Sequence, residues 1–67
     1  MGNLKIKLME MSKREEGLKL KIINDLLDLD DEEIRSYIHA VIFWGFTQNV
    51  EGYTEAMQEI ANIILKQ

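Results

Sequence analysis

Residues 31–46 read DEEIRSYIHAVIFWGF, and the fold turns on which faces of that stretch are apolar. Asp30 stands ahead of it with Glu33 three residues on. That pair fits a capping box, in which the Asp carboxylate takes the Glu33 amide and the Glu carboxylate reaches back. Acids in a first turn also suit the positive end of a helix dipole. The stretch therefore predicts a helix over 31–46. At about 100° per residue, Ile34, Tyr37, Ile38, Val41, Ile42 and Trp44 share an inward arc. Phe43 points almost directly away from it, His39 and Phe46 lie near Phe43, and Ala40 adds nothing polar. A helix apolar nearly all round is normally buried all round. Two short neighbours cannot surround it. The remaining face then needs a second chain, because monomers avoid large exposed apolar patches.

Working outward, residues 50–66 predict a second amphipathic helix. Val50, Tyr53, Met57, Ile60, Ala61 and Ile64 fall within an arc of about 100°, with Glu51, Glu55, Glu59 and Asn62 opposite. Thr47-Gln48-Asn49 breaks the chain before it, and Asn49 is placed to cap it. On the other side, Ser12 with Glu15 fits another capping box, so a helix is predicted over 12–28. Leu18, Ile22, Leu26 and Leu29 form its stripe, widened by Ile23 and Leu27. Gly17 weakens it by up to about 1 kcal/mol relative to Ala.

The N-terminus competes with this scheme. Leu4-Lys5-Ile6-Lys7-Leu8 alternates with the period of a half-buried strand, and so does Leu18-Lys19-Leu20-Lys21-Ile22. A β-hairpin over 3–23, turning at Ser12 to Gly17 and followed by two helices, is the alternative fold. It sets Lys against Lys on one face, and an isolated ribbon is marginal. The expected fold is therefore all-α: a small three-helix bundle, homo-oligomeric, with an extended N-terminal segment. Residues 1–67 make a single domain, with 1–11 an arm or strand and 12–66 helical.

Composition narrows the function. The chain has 67 residues, 46% apolar and 30% charged, which is an ordinary folded domain and not a disordered tail. A domain this small buries only about 60% of the surface of its unfolded chain. Cysteine is absent, which removes disulfides, thiolate zinc sites and cysteine nucleophiles together. The single histidine leaves no two-His metal framework. Self-association is the support that remains. No secretory h-region or membrane span is visible, and Ile6 stands where a myristoylation pattern wants Ser or Thr, so a cytoplasmic protein is expected.

Charge divides unevenly. Residues 1–22 carry six basic against three acidic side chains, a balance of +3, and residues 23–67 carry two against nine, −7. The basic part meets an acidic partner, or the acidic part of a second copy; otherwise both are plain solvated faces.

No chemistry of catalysis is expected. Glu32, Ser36 and His39 fall at i, i+4 and i+7, but the Ser lies between acid and imidazole, where no triad works. Asp25, Asp28, Asp30, Asp31 and Glu32 do not match a calcium loop: counted from Asp28, the sixth position is Glu33 and the twelfth His39. The four glycines, at 2, 17, 45 and 52, form no phosphate loop. Met9, Met11, Met57, Phe43, Trp44 and Tyr53 read as core more than as a ligand pocket. No cofactor or metal is expected.

The expected function is a non-enzymatic regulator, adaptor or inhibitor acting by protein–protein binding as a homodimer or higher oligomer. Its interface would comprise Tyr37, His39, Ile42, Phe43, Trp44 and Phe46, with Tyr37, Ile42 and Trp44 packing inside. Glu51, Glu55 and Glu59, or the basic N-terminal segment, would meet another protein. The alternative is a nucleic-acid-binding regulator that uses Lys5, Lys7, Lys19 and Lys21 on a hairpin face. The acidic outer face of the last helix would repel phosphate.

Overall fold

In the computed structural model, residues 3–45 and 50–65 are described. They form four helices: α1 Asn3–Ser12, α2 Leu18–Leu27, α3 Asp31–Trp44 and α4 Tyr53–Ile64. No strand occurs among the described residues. The all-α class therefore holds, and neither the β-hairpin nor the extended N-terminal segment does. Residues 3–12 add a fourth helix to the three expected.

The reason lies in three leucine-class positions. Leu4, Leu8 and Met11 stand at i, i+4 and i+7, so one stripe of a helix buries all three. A strand would have grouped Leu4, Ile6 and Leu8 and sent Met11 to the other face. Ile6 is instead exposed. Ser12, expected to cap the next helix, ends this one: its hydroxyl donates to the Met9 carbonyl at 2.6 Å. The amides of Arg14 and Glu15 both turn back to the Met11 carbonyl, closing α1. Gly17 then breaks the chain at φ 70°, ψ −141°, a region open essentially to glycine alone, and α2 starts at Leu18.

The second capping box is made as its sequence requires. Asp30 Oδ1 accepts from the Glu33 amide at 2.8 Å, and Glu33 Oε1 accepts from the Asp30 amide at 3.1 Å. Helix α3 runs to Trp44, where Gly45 takes the left-handed conformation at φ 70° and donates its amide to the Ala40 carbonyl. Asn49, the expected cap of the last helix, lies outside the described residues; Gly52 stands at the N-cap of α4.

All four helices feed one core. Leu8 and Met11 of α1 meet Ile22, Ile23 and Leu26 of α2, Ile34, Ile38 and Val41 of α3, and Met57, Ile60 and Ile64 of α4. Polar contacts tie α1 down. The Leu4 amide, unsatisfied within its own helix, donates to Asp31 Oδ2 at 3.3 Å, so the start of α3 caps the start of α1. Lys7 Nζ donates to the Ile64 carbonyl at 3.3 Å, at the end of α4.

Candidate protein-binding face

The core takes Ile34, Ile38 and Val41 from α3, and α4 lies along one flank of it. What is left on the outer side runs Ser36, His39, Ala40, Phe43 and Trp44. The Phe43 side chain is 71% exposed and Trp44 80%. The His39 and Phe43 rings pack with centroids 4.4 Å apart, tilted by 33°, as their i, i+4 spacing allows. The stack holds the Phe43 ring against its own helix while its outer face meets water.

The six residues expected at the interface thus separate. Tyr37 and Ile42 are half-buried and pack on the core. The Tyr37 and Tyr53 hydroxyls share a hydrogen bond of 2.7 Å, linking the middle of α3 to the start of α4. Burial, and then the Tyr37 hydroxyl, push the Tyr53 hydroxyl well above the ordinary tyrosine range. His39, Phe43 and Trp44 face outward, and Phe46 lies outside the described residues. Trp44 does not pack inside as its place on the arc suggested. It sits about 80° from the centre of that arc, in the last turn before Gly45, and no helix among the described residues covers it there.

Two hollows border these rings. One is an open groove of about 1040 Å³ walled by Ile42 and Phe43 of α3 and by Gln58, Ala61, Asn62 and Ile63 of α4. Ile63 is 48% exposed and extends the apolar surface. The apolar arc of the helix misses it: Ile63 lies about 60° beyond the arc's edge, toward Glu59, and an isoleucine out of place there is its signal in the sequence. The other hollow, about 300 Å³, lies on the outer face of α3 between Arg35, Ser36, His39, Ala40 and Trp44. A separate pair, Ile6 and Met9, is exposed on α1.

The charged candidates are dispersed. Glu51, Glu55 and Glu59 are exposed. Glu59 is engaged by Lys19 at 2.9 Å, and that hydrogen bond raises the affinity of the Lys19 ammonium for its proton. The four lysines of the nucleic-acid alternative share no hairpin face. Lys5 and Lys7 are two apart on α1, and Lys19 and Lys21 two apart on α2, so each pair is splayed by about 200°. Lys7 is held by Ile64 and Lys19 by Glu59.

Among the described residues, no three His, Asp or Glu side chains converge as a metal site would need. No described helix is long and apolar enough to cross a membrane. Helices, a shared core and an outward aromatic face define the class of this protein: all-α, with an apolar surface on one helix. Compared with known proteins, the chain matches no family model, no curated protein and no solved structure.

Proposed function

We propose that this is a small non-enzymatic regulatory, adaptor or inhibitor protein of the cytoplasm. It acts by protein–protein binding, as a homodimer or higher oligomer, through the outer face of α3. The observation that supports the reading is the exposure of both Phe43 and Trp44 in the last turn of α3, with Ile63 of α4 on the same groove as Phe43. Burying apolar surface gains about 25 cal/mol per Å². Aromatic side chains at the centre of an interface are those whose truncation costs most, about 2 kcal/mol or more. The exposed acids Glu51, in the turn before α4, and Glu55, in its first turn, offer a second, negatively charged surface for another protein.

Light scattering on the wild type and on Phe43→Asp tests this. The wild type is expected above the mass of one chain at micromolar concentration. Phe43→Asp is expected at that mass, with unchanged helix content because residue 43 lies outside the core. A wild type that stays monomeric overturns the self-association. Retention on heparin that falls steeply with salt would favour the basic-segment alternative instead.

A further inference from the structure

The outer face of α3 carries a hollow and a projection that fit each other only between two copies. The hollow is the one of about 300 Å³ between Arg35, Ser36, His39, Ala40 and Trp44. Ser36 and Ala40 leave it open because they are small. The projection is Phe43, 71% exposed, on the same side and toward its Trp44 end. On a single rigid helix the two never meet. Phe43 lies about 4 residues past the centre of the hollow, roughly 6 Å along the axis. A two-fold axis near Ala40 exchanges them, and seats each Phe43 in the other copy's hollow. Both halves of the fit sit on one patch, which is the condition for an isologous contact and names a second copy as the occupant.

Charge sets the direction. Side by side in parallel, the exposed Glu32 and Glu33 would face the same two acids of the second copy. Antiparallel packing separates the two acidic turns and opposes the helix dipoles. The stack of Phe43 on His39 fixes the projecting ring before docking, which lowers the ordering cost of association.

We infer that α3 packs antiparallel against α3 of a second copy about a two-fold axis near Ala40, with each Phe43 in the other's Arg35–Ser36–His39–Ala40–Trp44 hollow. This rests on the self-association proposed above and narrows it to one seam and one direction.

The chain has no cysteine, so a single introduced thiol reports its own distance across the seam. Ala40→Cys, His39→Cys, Ser36→Cys, Met9→Cys and Ile63→Cys are each oxidised gently and run without reductant, with the wild-type mass measured in parallel. Ala40→Cys and His39→Cys, beside the axis, are expected to form covalent dimers, since a disulfide needs its Cβ atoms about 4 Å apart. Ser36→Cys is expected to lag far behind, its two copies roughly 12 Å apart along the helices. Equal rates at 36 and 40 mean a parallel pair and overturn the inference. So does fastest cross-linking at Met9→Cys or Ile63→Cys, or none at 39 and 40, while the wild type remains oligomeric; the self-association then stands on another face. A monomeric wild type removes both.

Discussion

The paired hydroxyls of Tyr37 and Tyr53 fix where α4 begins against α3, and they carry a pH dependence. A tyrosine in an unfolded chain ionises near pH 10. In the fold, burial and the Tyr37 hydroxyl push Tyr53 above that value. Between the two values the unfolded chain has released a proton that the folded chain still holds. Stability is then unaffected by Tyr53 below about pH 10 and falls as pH rises through the interval above it. Lys19 works in the same direction: Glu59 strengthens its hold on its proton, so its contribution is complete below its ordinary value of 10.5 and fades above it. Tyr53→Phe is expected to lose about 1 kcal/mol at neutral pH, for one hydrogen bond, and to show a flatter alkaline limb than the wild type. Urea midpoints at about pH 8 and pH 11 for both chains check it. Equal losses in the two would show that Tyr53 is not the group responsible. Trp44 makes a different point about single residues. An angle on a helical wheel places a side chain toward one side, but a side is only an interior where another element reaches it, and no described helix reaches the Trp44 side of the last turn of α3.

Among the elements, α1 is the one whose type the sequence left undecided, and the cause is arithmetic. Leu4 and Leu8 are four apart, a spacing that serves a strand and a helix equally. Ile6 between them completes the strand pattern, and Met11 completes the helical one. The fold follows Met11, which is buried, and leaves Ile6 in water. Substitution separates the two patterns. Leu8→Ala is expected to cost about 2–5 kcal/mol, a large share of the stability of a small domain. Ile6→Ala is expected to stay within about 0.5 kcal/mol, as exposed positions do. Denaturant midpoints check both, and comparable losses would mean that Ile6 and Leu8 share a buried face. Helix α3 is legible at its start, where the Asp30 and Glu33 box and the inward arc agree, but not at its end: the pattern carries on to 46, and the left-handed turn at Gly45 closes the helix at Trp44. The Ser12 and Glu15 motif has the same form, yet it sits inside a turn whose amides are already directed to Met11, and Gly17 supplies the break that it would have made. Of the candidate face, Phe43 and its neighbour His39 could be read from the wheel. The groove beside Ile63 and the hollow at Arg35 could not, because they depend on how α4 crosses the flank of α3 and on which side chains stay short.

At the scale of the whole molecule, few devices hold the fold besides its core. The one ion pair among the described residues, Lys19 with Glu59, is partly exposed on both sides, and such pairs contribute little. Disulfides are excluded by composition. The apolar surplus faces outward on three elements: Ile6 and Met9 on α1, Phe43 and Trp44 on α3, and Ile63 on α4. If the α3 face closes against a second copy, folding and association share one free energy, and stability rises with protein concentration. A tenfold increase in concentration is worth about 1.4 kcal/mol per dimer, or roughly 0.7 kcal/mol per chain. For a domain of this size that moves the melting temperature by roughly 3–6 °C. The wild type is expected to show this slope in thermal scans over a hundredfold range of concentration, and Phe43→Asp to show none. A seam made of rings and small side chains, not of ion pairs, should also keep the slope nearly unchanged when salt is raised, because screening acts on charges and leaves apolar burial intact. A melting temperature independent of concentration in the wild type would mean that the four-helix core is sufficient alone, and that the exposed rings of α3 contribute nothing to stability through a second copy.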